Sequence, residues 1–104
     1  MKYLQEKVQT FTTQYNLSSP IEHRMLDLVS EVGEVSKEVL KMSNYGREEM
    51  KYNDTFTEEL GDVLYSLIGV ANHFEVDLEE ALHQALEKYE RRLGQGSMGS
   101  ESEE

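Results

Sequence analysis

The sequence predicts an all-α protein, a compact bundle of about four helices completed by oligomerisation. Three observations carry this expectation. Apolar residues recur at helical spacings of three and four through most of the chain. The alternation that marks strands is weak. Pro20 is the only proline, so long stretches run without a helix breaker. A chain of 104 residues allows one small domain and no separate cofactor domain.

The first helix is expected over Lys2 to Tyr15, where Leu4, Val8, Phe11 and Tyr15 share a face. The second opens with Ser19 as N-cap, Pro20 at the first helical position and Glu22 two residues on, and should reach about Ser43. Its seam alternates steps of four and three through Ile21, Met25, Leu28, Val32, Val35, Val39 and Met42, and Leu26, Val29 and Leu40 widen it. The next stretch, SNYGREEMKYNDT, is polar and aperiodic and reads as a loop of a length uncommon without a function. The third helix, from Phe56 to Phe74, carries Leu60, Val63, Leu67 and Val70 in the same rhythm. Asp77 as N-cap, with Glu80 three residues on, opens the fourth helix. Leu78, Leu82, Leu86, Tyr89 and Leu93 lie on its apolar side, and Gly94 is the expected stop. Residues 1–93 form the expected helical domain. Residues 94–104, GQGSMGSESEE, hold one large apolar side chain and read as a disordered acidic tail.

Charge and composition narrow the function. The formal net charge is −11, opposite in sign to what attracts a nucleic-acid backbone, and neither a nucleic-acid polymer nor a membrane is an expected partner. The N-terminal MKYLQEKVQT lacks the zones of a signal peptide, so a cytoplasmic location is expected. With no cysteine, any metal must be held by oxygen or imidazole, and the three histidines are too scattered to suggest zinc.

Two segments resemble each other, EVGEV at 31–35 and ELGDV at 59–63. Each sets two acids at i and i+3 beside an apolar seam, with a glycine just before the second acid. If the two seams pack together, Glu31, Glu34, Glu59 and Asp62 face one groove. Two carboxylates about 5.5 Å apart repel by roughly 3 kcal/mol at an effective dielectric of 20, and by less than about 1 kcal/mol in open water. Inside a groove the cluster therefore requires a divalent cation, and all-oxygen ligation favours Mg²⁺ or Mn²⁺. Gly33 and Gly61 each cost about 1 kcal/mol relative to alanine, which close approach of the helices beside the acids would offset. The alternative is a solvated face on which Lys37 and Lys41 pair with Glu34 and Glu38. The duplication of the acid pair favours the groove.

These residues resemble the MazG-like nucleoside triphosphate pyrophosphohydrolases, whose signature is E-x-x-E, a variable spacer, then E-x-x-D. Glu31 and Glu34 fill the first pair and Glu59 and Asp62 the second, with twenty-four residues between. LVSEVGEVSKE, EELGDVLYSL and HQALEKYERRL are similar to three blocks of that family in its order, although Ser30 stands where the family often has a further acid. The resemblance implies hydrolysis of a nucleoside triphosphate to monophosphate and pyrophosphate with Mg²⁺, as in nucleotide-pool housecleaning, by a homodimer or homotetramer. It makes Lys88 and Arg92 candidates for triphosphate contacts. Glu31 or Glu34 would activate water, Glu38 is a possible auxiliary ligand, and Lys51, with Arg47, could close over the phosphates. His73 falls on the acidic flank, where a second-shell or solvated role is the commoner one. Phe11 or Tyr65 could stack on a base, although aromatics at this spacing usually build core. A non-enzymatic acidic adaptor, or a related enzyme acting on dUTP or phosphoribosyl-ATP, remains open at this point.

Overall fold

A computed structural model describes residues 1–95, so the tail predicted at 94–104 lies outside the described residues from residue 96 onward. The elements are α1 (Lys2–Gln14), α2 (Ile21–Met42), α3 (Thr55–His73) and α4 (Leu78–Gly94), and the described residues contain no strand. No helix among them is long and apolar enough to cross a membrane. Every predicted helix is present within a residue or two.

The caps differ in two places. Pro20 is itself the N-cap of α2, because its ring sets φ at −58° but leaves ψ extended at 147°. Its carbonyl accepts from the N–H groups of His23 and Arg24 at 3.0 and 3.1 Å, and Ser19 stands one residue outside. At the other end α4 runs through Gly94, and Gln95 is the cap. Asp77 behaves as predicted, accepting from the N–H groups of Glu79 and Glu80 at 2.9 and 3.3 Å. The predicted loop folds back on α2. Asn44, Tyr45 and Gly46 take φ of 50°, 61° and 86°, a left-handed run that only the glycine adopts without strain, and Lys51 N–H then reaches the Met42 carbonyl at 2.9 Å.

Packing is dominated by α2 against α3; α1 lies more lightly on α3, and no other pair of helices packs as closely. The half-buried line of α2 is Ile21, Arg24, Leu28, Glu31, Val35, Glu38 and Met42, a heptad row in which every second member is charged. On α3 the corresponding line is Phe56, Glu59, Val63, Ser66 and Val70. The pairing is antiparallel, and each step moves seven residues along both helices: Glu38 meets Thr55, Glu31 meets Asp62, Arg24 meets Gly69.

Half of the seam read from the sequence therefore turns outward. Met25, Val32 and Val39 are exposed, beside Leu26 at 67% and Val29 at 63%. Leu82, Leu86, Tyr89 and Leu93 form a second exposed row on α4. Among the described residues Ile68 and Ala71 are the buried hydrophobic ones. Gly33 and Gly61 do not mark a close approach within the chain, since a Cβ at either would meet nothing within 4 Å.

One buried polar side chain holds the α3–α4 turn to α1. Gln5 Nε2 donates to the Val76 carbonyl at 2.8 Å and to Asn72 Oδ1 at 3.1 Å, and Gln5 Oε1 accepts from Leu78 N–H at 2.9 Å. Asn72 Nδ2 returns a bond to the Gln5 carbonyl at 3.0 Å. Replacing Gln5 by Leu leaves Leu78 N–H and the Val76 carbonyl without their partner, so we expect a loss of about 1–3 kcal/mol in urea unfolding. Gln9→Leu on the exposed face should change it by less than about 0.5 kcal/mol. Equal effects would show that the Gln5 network does not hold the turn.

Candidate active site

The heptad register places Glu31 at an inner position of α2, and the i, i+3 spacing of Glu59 and Asp62 carries both acids to the facing flank of α3. Carboxylate oxygens of Glu31, Glu59 and Asp62 lie within 4.8 Å of one another. Glu31 and Glu59 are half-buried and Asp62 is exposed. The carboxyl of Glu59 is raised above the ordinary glutamate range, first by burial and then by the negative charges of Asp62, Glu34, Glu31 and Glu38.

The other two acids differ. Glu34 is exposed, 4.0 Å from Lys37, and stands outside the set of three. The side chain of Glu38 is only 15% exposed and pairs with Lys41 at 3.7 Å. Glu38 Oε1 also lies 2.9 Å from Thr55 Oγ1, whose single proton is shared with Asn53 Oδ1 at 2.9 Å. The solvated-face alternative thus describes Glu34 and not Glu31 or Glu59. Three converging oxygen donors, one of them raised in proton affinity by burial and then by like charge, are a donor set that a hard divalent cation fits.

The sequence profile of the MazG nucleotide pyrophosphohydrolase domain matches residues 20–96, a span that contains all of these acids. The chain belongs to this family. It is 33% identical to YpjD of Bacillus subtilis (strain 168) over 97 residues, covering 88% of this chain and 85% of that one. Among solved structures, the Bacillus-conserved MazG protein, a nucleotide pyrophosphohydrolase, superposes with a TM-score of 0.71 at 31% identity, covering 85% of this chain and 86% of that one. YPJD from Bacillus subtilis superposes with a TM-score of 0.69 at 35% identity, covering 86% and 91%. The chain is thus an all-α MazG enzyme, a hydrolase acting on phosphorus anhydrides.

The cationic residues read from the sequence are distributed unevenly around the MazG acids. Lys51 lines an open cleft of about 460 Å³ with Lys41, Tyr52 and Asp54, and Lys41 joins that cleft to Glu38. Lys88 extends along its own helix, with Nζ 5.3 Å from the Tyr89 ring centre, and among the described residues forms no ion pair with the acids. Arg92, on the same face one turn on, is 8% exposed. Phe11 and Tyr65 meet edge to face at 6.2 Å between α1 and α3, a packing contact. His73 meets Phe74 edge-on at 4.8 Å. Two residues that sequence reasoning passed over stand in the same groove. Thr55 carries a hydroxyl to Glu38, and Arg24 occupies an inner position two turns before Glu31. The signal for both is a heptad step of seven, from Glu31 back to Arg24 on α2 and from Asp62 back to Thr55 on α3.

The raised carboxyl of Glu59 has a pH signature. A group that binds protons more tightly when folded contributes stability that is present below the ordinary glutamate range, near pH 4.3, and is lost as pH rises through its folded value. Without divalent cation, wild type should lose stability relative to Glu59→Gln as pH rises above the ordinary glutamate range, measured as urea midpoints. Parallel curves would show that Glu59 is not crowded by its neighbours.

Proposed function

We propose that the protein hydrolyses nucleoside triphosphates to monophosphate and pyrophosphate in a Mg²⁺-dependent reaction, Mn²⁺ being the alternative ion. The convergence of Glu31, Glu59 and Asp62 within 4.8 Å supports this reading most directly. These three would hold the cation, with Glu38 behind them. When bound, the cation supplies charge neutralisation at the polyphosphate and at the leaving oxygen.

The remaining chemistry falls to the chain. Water attacks the α-phosphorus, the α–β anhydride bond breaks, and pyrophosphate leaves with the bridging oxygen. Glu34, outside the converging set, takes the proton from the attacking water. Lys41 and Lys51, at the Glu38 end of the groove, attract the outer phosphates. Lys88 and Arg92 lie on α4, outside the close α2–α3 pairing that holds the acids, so in this reading Lys88 reaches phosphate from the α4 of a neighbouring copy. Arg92, one turn on along α4 and buried, is the second candidate for phosphate on that helix.

The working form in this reading is a homodimer or homotetramer. The outward rows of α2 and α4 support it, since burying such rows recovers about 25 cal/mol per Å². A cytoplasmic housecleaning role, removing unwanted triphosphates from the nucleotide pool, accords with these elements.

A triphosphate panel with pyrophosphate detection, run with and without Mg²⁺, tests the reaction. Loss of a group that merely orients a metal ligand costs 10–100-fold, so Glu59→Gln and Asp62→Asn should each reduce turnover by about 100-fold or more. Glu34→Gln should lose a similar factor as the water-activating group. Glu79→Gln, on the far helix, should retain activity; if it fell alongside Asp62→Asn, the site would be misplaced. Mg²⁺ at 100 times its dissociation constant should add about 2.7 kcal/mol of stability, and no rise in melting temperature would count against the cation site. Sedimentation should give at least a dimer at micromolar concentration, and a stable 12.0 kDa monomer would overturn the assembly.

A further inference from the structure

The groove does not end at the carboxylates. One heptad toward the start of α2 and one toward the end of α3, Arg24 crosses onto Gly69. A Cβ at Gly69 would lie 2.7 Å from Arg24 Nη1, and its three nearest neighbours all belong to Arg24. The glycine thus leaves the space in which the guanidinium lies. Arg24 Nη2 donates to the Leu17 carbonyl at 3.3 Å, which ties the same group to the α1–α2 connection. Beside it is a cavity of about 160 Å³ whose walls include Arg24, Gly69, Asn72, His73, Thr12 and Ser18. No carboxylate lines it, although the chain carries a formal charge of −11.

Its position and chemistry define what it would take. Seven residues of helix separate Arg24 from Glu31, about 10 Å along the groove. The acids lie between this cavity and the cleft of Lys41 and Lys51, so a triphosphate aligned on the acids with its outer phosphates toward the lysines sends its nucleoside toward Arg24. A volume of about 160 Å³ open to the groove is of the size of one base, with the sugar and phosphates left outside it. The walls offer amides and hydroxyls that both donate and accept, and one guanidinium that only donates. Guanidinium donors match carbonyl oxygens on a base edge, as in the pairing of arginine with guanine O6 and N7, whereas the corresponding adenine edge presents an amino donor.

We propose that the Arg24–Gly69 end of the groove receives the nucleoside base and selects bases with a carbonyl at that edge, guanine or uracil over adenine. This rests on the pyrophosphohydrolase reading for the direction in which the substrate lies. Arg24 reads the base, and Gly69 is a positioning residue for Arg24.

Two measurements on the full chain test it: calorimetric binding of GMP, UMP, AMP and inorganic phosphate without metal, and initial rates on GTP, UTP and ATP with Mg²⁺. Wild type should bind GMP or UMP at least 10-fold more tightly than AMP and show the same order in kcat/KM. Arg24→Met should bring the preferred nucleotide down to the AMP level while leaving AMP unchanged. Gly69→Ala keeps the charge, favours the helix, and displaces the guanidinium, so it should narrow the preference in the same direction without unfolding the protein. The proposal is overturned if AMP binds as tightly as GMP and UMP, or if both variants weaken every nucleotide equally. It is also overturned if inorganic phosphate competes with GMP in an Arg24-dependent manner, which would make this an anion subsite. Selective, Arg24-dependent binding without pyrophosphate release would support the base site and reject the hydrolysis reading; turnover without base selectivity would do the reverse.

Discussion

The pairing register of α2 with α3 governs the rest of the molecule. A strict step of seven residues brings Arg24, Glu31 and Glu38 to the inner side of α2, where leucines would ordinarily stand, and sets Glu59 against them from α3. Each inner position held by a charge gives up the roughly 1.5–3 kcal/mol that a buried aliphatic side chain supplies. It also forces like charges together, as the raised carboxyl of Glu59 records. The fold thus carries a deficit localised along one groove, and a cation among the acids and a ligand against Arg24 are the kinds of group that reduce it. The same register turns Met25, Val32 and Val39 outward, so the groove and the unfilled apolar surface are two consequences of one rotation of α2.

Helix number, order and approximate ends were legible because each helix repeats its apolar residues often enough to define a period. The Asp77 cap was legible because an aspartate ahead of a helix has one dominant use, accepting from the first free N–H groups. The orientation of α2 was not. Its apolar residues form a band wide enough for two packings, one centred on Val32 and one on Leu28 and Val35, and period alone cannot choose between them. The structure takes the second, which is what brings Glu31 inside. The acids could still be found, since their repetition in EVGEV and ELGDV does not depend on which row faces in. Glu34 lies outside the converging set because the inner row of α2 steps from Glu31 to Val35, leaving Glu34 exposed and turned to Lys37.

Polar contacts between distant parts of the chain were the least legible of all. Gln5 reads as one more polar residue on a surface helix, yet it joins three groups around the α3–α4 turn, two of them main-chain atoms. A side chain that bonds to backbone carries no partner that a sequence could reveal. Pro20 and Gly94 show the converse error: each has a preferred place at a helix end, but φ near −58° suits a proline on either side of the boundary, and a glycine without positive φ simply continues the helix.

Three helical glycines separate what one chain explains from what it does not. Gly69 has a reason inside the chain, since Arg24 occupies the place of its missing side chain. Gly33 and Gly61 face open space, so their cost of about 1 kcal/mol each is not recovered by any contact their own chain makes. Gly33 adjoins the exposed Val29 and Val32, and Gly61 adjoins the exposed Leu60 and Leu64. A helix from a second copy lying across those rows could approach the backbone more closely at a glycine than at any other residue. The uncompensated glycines and the uncovered apolar rows are therefore where the second copy of the proposed homo-oligomer would lie, and at about 200° from Glu31 and Glu59 around their helices they leave the groove itself open to substrate.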